Sequence, residues 1–255
     1  MNEGFRMKVE KKSQRIFTRD SLIKKLGDSS RNLYTDRTVY ITHKSLSEKG
    51  VTAQMAGPVI AAVVDEVKHS ETGLVLFRRD DEVEVIEPPI PLSMDAIAEG
   101  QDIFLLKDLL SDPIVIGVVL LRLGRFAVGL YEGGALVASK TEGRYVKNRH
   151  RAGGSSQRRF ERSRERLIRE LFDKTCSITQ SIFGNQSQGR DIDYVFMGGE
   201  KHTLNKFLKR CEYLGNMRSK ILSRTLNVEN PNRETLESVS EEIYKSKVTT
   251  YYVVR

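Results

Sequence analysis

The chain has 255 residues, Lys+Arg 42 against Asp+Glu 34 for a formal net charge of +8, 39% hydrophobic residues and 30% charged ones. Such a length buries a proper core, as one large domain or two small ones, and the balance excludes a disordered chain. The charge is concentrated: residues 143–170 hold ten Lys/Arg against three acids, +7 of the +8, a footprint that favours a polyanionic partner.

The longest apolar run, residues 113–121, is far short of the roughly 20 residues that a membrane helix needs, so it reads as a buried strand and no membrane partner is expected. The first fifteen residues contain no apolar h-region, so no secretory signal is expected. Cys176 and Cys211 lack metal-ligand spacing and are too few for a disulfide framework, which predicts a cytoplasmic address.

In chain order, residues 1–50 are polar and read as a partly flexible N-terminal arm. It carries a short helix at 20–26, capped by Thr18 or Asp20 and stopped by Gly27, and a brief strand at 38–41. Residues 51–255 are expected to form one domain. Met55, Val59, Ala62, Val63 and Val67 space an amphipathic helix over 52–69, with Pro58 in its first turn or kinking it. Residues 73–77 and 83–86 read as a hairpin, ended by Pro88, Pro89 and Pro91, and a mostly polar connector runs on to Leu109. Runs at 114–121, 125–131 and 135–139, joined by Leu123-Gly124 and Glu132-Gly133-Gly134, predict a strand meander.

A basic glycine loop follows, residues 143–156, and then a long helix from Gln157 to about Cys176. Phe160, Leu167, Ile168, Leu171 and Phe172 share one face of it, and Arg159, Arg162, Arg166 and Arg169 form a stripe elsewhere. A strand at 192–197, Gly198-Gly199, a helix at 203–214, a strand at 221–228, a helix at 233–244 and a strand at 249–254 complete the pattern. Strands first, then alternating helices and strands, predict an α/β (α+β) fold with a mixed sheet.

The most specific motif is Arg151-Ala152-Gly153-Gly154-Ser155-Ser156-Gln157-Arg158-Arg159-Phe160. It resembles the catalytic middle domain of the eukaryotic and archaeal peptide-chain release factors, in which a Gly-Gly-Gln loop precedes a helix opening with an Arg-Phe pair. Ser155 and Ser156 separate the glycine pair from the glutamine here, and that Gly-x-x-Gln form resembles the Vms-like release factors, which act on peptidyl-tRNA in stalled large ribosomal subunits. The resemblance covers residues 113–255 in element order and is sharp at residue level only around 143–166.

The resemblance implies a peptidyl-tRNA hydrolase that works with the large subunit, the tRNA acceptor end and ribosomal RNA, as a monomer and without a cofactor. Gln157 and the loop residues Gly153, Gly154, Ser155 and Ser156 would form the catalytic element, and Arg144, Lys147, Arg149, Arg151, Arg158, Arg159, Arg162 and Arg166 would hold RNA phosphates. The physical logic agrees. Glycines allow close backbone approach, and cations hold phosphates in a salt-sensitive way. A neutral amide positions water or an oxyanion rather than acting as a base.

Plainer readings stand beside these. Gln157 is an exposed helix start, the arginines are a solvated face, and Ser155 and Ser156 cap the helix rather than attack. Tyr145 stacks on a base or anchors the loop, and His150 contacts RNA or fills it. Gly198-Gly199, near His202, is better read as a structural turn than as a phosphate site. His43, His69 and His202 are scattered, and no metal is assigned. No Asn-Ile-Lys-Ser motif, as found in the codon-reading domain of the release factors, is present. The alternatives to an esterase are a non-catalytic ribosome- or RNA-binding module and a nuclease acting near the tRNA 3′ end.

Overall fold

The structure is a computed structural model that describes residues 7–27, 35–48, 51–143, 146, 155–185 and 191–254. The chain divides into two units. One comprises residues 1–112 and 243–255, and the other residues 113–242. The boundary between the units, at Pro113, falls inside the stretch 51–255 expected as one domain.

The first unit is an antiparallel sheet of six strands in the order β1-β10-β4-β3-β2-β5, formed by β1 (Lys8–Phe17), β2 (Arg37–Ile41), β3 (Leu74–Arg79), β4 (Glu82–Glu87), β5 (Ala96–Glu99) and β10 (Ser246–Val254). Strand alternation sorts its side chains onto two faces. Val39, Leu74, Leu76, Val83 and Val85 pack with Val59, Ile60 and Val63 of the helix Pro58–Val67. Tyr40, Val75, Phe77 and Ile86 pack on the other face with Leu22 and Leu26 of α1 (Arg19–Leu26), and with Leu106 and Leu110 of the helix Phe104–Ser111.

Thr18 caps α1, its hydroxyl accepting from the Ser21 N–H at 3.4 Å, and Gly27 ends it as expected. The helix expected over 52–69 is two: α3 (Val51–Met55) and α4 (Pro58–Val67) follow α2 (His43–Ser47), and Pro58 opens α4 because it has no N–H to give to a preceding turn. The connector expected between Pro91 and Leu109 carries β5 and the helix Phe104–Ser111, here α5.

The second unit is, as expected, a mixed sheet, with its strands in the order β8-β7-β6-β9. β6 (Val115–Arg122), β7 (Arg125–Glu132) and β8 (Ala135–Gly143) form the antiparallel meander, and β9 (Tyr194–Gly199) pairs with β6 in parallel. α6 (Ser155–Asn185) lies on one face, burying Leu171, Phe172, Ile182 and Phe183 against Val115, Val119, Val128 and Val195. A Cβ on Gly117 would come within 2.4 Å of the Phe183 ring, so the absence of a side chain on β6 is what lets the helix seat. α7 (Lys201–Leu208) and α8 (Glu212–Asn216) follow β9. α9 (Arg233–Ile243) closes the other face, where the Tyr131 hydroxyl donates to the Leu236 carbonyl at 2.5 Å; burial pushes that phenol's pKa up and keeps it a donor.

Three further expectations are corrected. The helix expected over 203–214 breaks at Cys211, whose extended backbone (ψ 94) caps α8. Among the described residues, the strand expected over 221–228 makes only the bridges Val195↔Ile221 and Gly198↔Leu226. Three steps along β9 are matched there against five along the segment, so two residues must bulge and no ladder can propagate. Finally, Cys176 and Cys211 are joined in a disulfide with their Cα atoms 5.4 Å apart, because α6 and the start of α8 bring together residues 35 apart in sequence. Among the described residues no helix is long and apolar enough to cross a membrane.

Candidate functional site

Fully buried side chains on α6 begin at Leu171. The fourteen residues back to Gln157 extend about 21 Å along the axis at about 1.5 Å per residue, with side chains half-buried or exposed. Ser155 and Ser156 are the first two helical residues and Gln157 the third, so the glutamine stands in the first turn, where backbone N–H groups lack helical partners and the helix dipole is positive. No acid occupies that turn, and Arg158 and Arg159 are exposed beside it. The same helix end thus adds side-chain cations to a dipole that already favours negative charge, an arrangement suited to an anion or a developing oxyanion.

Gln157 is half-buried, and its Nε2 donates to Glu161 Oε1 at 3.2 Å, one turn on. One amide donor is thereby engaged by a carboxylate. Arg159, Arg162, Arg166 and Arg169 are exposed at intervals of three, four and three, hence on one face. Arg166 makes a loose pair with Glu170 at 3.9 Å, of the kind that contributes little at a surface. The remaining expected loop residues, Gly153, Gly154, Arg144, Lys147, Arg149 and Arg151, together with Tyr145 and His150, lie outside the described residues.

Sequence reasoning missed a second basic feature. Between α6 and α7 runs a groove of about 610 Å³. Arg164, Arg169, Lys206 and Arg210 line it together with Glu165, Glu200 and His202, and Leu123, Ile168 and Phe172 give it apolar surface. His202, Lys206 and Arg210 recur every fourth residue, a legible signal once α7 is placed there. Arg210 crosses to α6 and binds Asp173 with two hydrogen bonds, Nε to Oδ1 at 2.5 Å and Nη2 to Oδ2 at 2.8 Å. Those bonds, and then the charge of the guanidinium, hold the Asp173 carboxyl below the usual carboxylate range despite its slight desolvation. Below the groove Phe172 meets Phe207 edge-on, with centroids 5.6 Å apart.

Gly198-Gly199 is structural. Gly199 has φ 126, and a Cβ there would sit 2.1 Å from the Leu121 carbonyl oxygen, so the turn into α7 requires glycine. Among the described residues no group of three or more His, Cys, Asp and Glu side chains is placed to hold a metal ion.

A sequence profile of the family described as Actinobacteria/chloroflexi VLRF1 release factor matches residues 115–249. Among curated proteins, the peptide chain release factor subunit 1 of Picrophilus torridus is 27% identical over 232 residues, which cover 84% of this chain and 56% of the relative. The protein of the same name from Methanopyrus kandleri is 26% identical over 171 residues, 65% of this chain and 41% of the relative. The chain spans about half the length of the curated relatives it matches. Among solved structures, the archaeal translation termination factor aRF1 aligns over 89% of this chain and 73% of its own, with TM-score 0.41 and 15% identity. The Vms1 mitochondrial localization core aligns over 71% and 76%, with TM-score 0.43 and 11% identity.

Proposed function

The chain belongs to the Actinobacteria/chloroflexi VLRF1 release-factor family, and from that premise we propose that it is a codon-independent release factor hydrolysing the peptidyl-tRNA ester on stalled large ribosomal subunits. The observation that carries this reading is the placing of Gln157 in the first turn of a helix end made strongly positive by its dipole and by Arg158 and Arg159. In the reaction, water adds to the ester carbonyl and the bond to the tRNA ribose oxygen breaks, giving a peptide carboxylate and a free tRNA hydroxyl. A glutamine amide cannot take the proton near neutral pH. It orients the water, or donates to the oxyanion as charge develops there.

In this reading the glycine loop, with Gly153, Gly154, Ser155 and Ser156, brings the amide to the tRNA end. Arg144, Lys147, Arg149 and Arg151 of the loop, and Arg158, Arg159, Arg162 and Arg166 of α6, hold phosphates of the acceptor stem and ribosomal RNA, in the cytoplasm. The bond to Glu161 takes one of the amide's two donors, and water or substrate can exchange for it. That exchange costs little, because the bond is exposed.

The test is release from purified large subunits carrying peptidyl-tRNA, with products resolved as free peptide, intact peptidyl-tRNA or shortened tRNA. Gln157→Ala should keep subunit binding and lose release by about 10²-fold or more, the scale of removing one oriented oxyanion donor. Undiminished release in that variant refutes the glutamine's role. Subunit binding by the unmodified protein without release would make it a docking module, and shortened tRNA a nuclease.

A further inference from the structure

The groove between α6 and α7 is unused by the mechanism above, yet cations outnumber acids in its lining by four to two. We propose that it is a second RNA site, which takes the phosphodiester backbone of the same RNA strand whose end Gln157 meets. The proposal deepens the release-factor reading and rests on it for the choice of RNA.

The first support is charge. Four cations, Arg164, Arg169, Lys206 and Arg210, line the groove's about 610 Å³ together with two acids, Glu165 and Glu200. Glu200 accepts from the Thr203 hydroxyl at 2.8 Å, so its carboxylate is turned to its own helix. Arg210 is pinned to Asp173 and acts as a cross-strut that fixes the spacing of the two rims. Arg169 on one rim and Lys206 on the other are exposed. Cations on both rims, with apolar surface at Leu123 and Ile168, match a sugar–phosphate chain, which carries charge along its edge.

The second support is continuity. Arg169 ends the stripe that begins at Arg159 and is also a rim residue of the groove. It lies twelve residues from Gln157, about 18 Å along the axis. That is the length of about five stacked nucleotides at roughly 3.4 Å per step. A strand whose terminal ribose is at Gln157 and whose phosphates wind about a third of a turn round α6 to Arg169 reaches the groove within a tRNA acceptor end. An acidic protein segment would satisfy the charge, but nothing about it would explain why the groove is the continuation of this stripe.

The experiment measures binding of a fluorescent RNA minihelix with a single-stranded CCA end to the whole chain at several salt concentrations. In the unaltered protein the affinity should fall steeply with salt. Lys206→Ala should reduce the slope of log affinity against log salt by about 0.7–0.9, and Arg169→Ala with Lys206→Ala by about twice that, one increment per phosphate lost. Lys206→Arg should restore the slope, which a merely structural role for Lys206 would not predict. Thermal unfolding of each variant confirms that the fold persists. An unchanged slope in the double variant overturns the proposal. So does a Lys206-dependent affinity for polyglutamate when minihelix binding is indifferent to Lys206, because the groove then serves an acidic protein.

The two readings fail separately. If Gln157→Ala still releases peptide while the slope responds to Lys206, the groove stands without the glutamine. If Gln157→Ala abolishes release and the groove variants bind and release normally, the groove alone falls.

Discussion

The turn from β9 into α7 is where a single methyl group should do most damage. At Gly199 an added Cβ meets three backbone atoms of Leu121, at 2.1, 3.1 and 3.6 Å, and Leu121 is held in register on β6 by its own pairing with Gly199. Neither partner can retreat without opening the parallel pair. The φ of 126 adds a conformational cost of about 1–3 kcal/mol for any residue but glycine. The forced displacement adds about 1–3 kcal/mol more. Gly199→Ala should therefore destabilise by about 4 kcal/mol, a large share of the about 5–15 kcal/mol that holds a typical domain together. The matched control is Gly184→Ala on α6, where, among the described residues outside its own stretch of helix, no atom lies within 4 Å of the new Cβ, so the substitution should be neutral or stabilising by up to about 1 kcal/mol. The chain has no tryptophan, so urea unfolding is best followed by far-ultraviolet circular dichroism. A cost below about 1 kcal/mol at Gly199 would mean that the turn relaxes freely, and the close-approach argument would be wrong.

Other perturbations probe the site directly. Because its pKa is lowered on folding, Asp173 contributes stability that is complete above the unfolded carboxyl's titration near about pH 3.9 and is lost as pH falls through the lower folded value. Both partners are about half-exposed, so Asp173→Asn should cost no more than about 1 kcal/mol at pH 7, and the gap in urea midpoints should close below pH 3; a gap that persists there contradicts the pairing. Glu161→Ala removes the acceptor of the Gln157 amide and one acid from the basic field. It should tighten minihelix binding and change release by less than about tenfold; a loss as deep as that of Gln157→Ala would instead make Glu161 a positioning residue. Reduction of Cys176–Cys211 frees a 35-residue separation and should lower stability by up to about 4 kcal/mol in the chain-entropy account. Two titratable thiols in unreduced, unfolded protein would show that the bond is absent.

Legibility in the sequence followed the strength of local signals. The meander was plain because turn residues separate three apolar runs, and the long helix was plain because its apolar positions recur at helical spacing. β1 was hidden because Lys8–Phe17 is almost entirely polar and exposed; main-chain bonds to β10 make it a strand, and those partners lie some 237 residues away. α5 was hidden because Ile103 offers no side-chain cap and the helix has only eight residues. The apparent strand at 221–228 has the right composition, but its register against β9 forbids pairing. At the site, Gln157 and the arginine stripe could be read from one continuous segment. The groove could not, since its two rims come from different helices, and only the fold brings Arg169 and Lys206, 37 residues apart in sequence (206 − 169), to one place.

The position of β10 bears on how the protein is made. This last strand pairs on one side with β1 and on the other with β4, so the sheet of the first unit is finished only by residues 246–254. At roughly 5–20 residues per second, residue 246 is added on the order of 10 s after residue 112. During that interval β1 waits without its partner, while the second unit, one continuous stretch of chain, is made whole and has its last strand by residue 199. The usual order of folding is thereby inverted: the unit bearing Gln157 is free to fold first, and the unit holding β1 is the last to close.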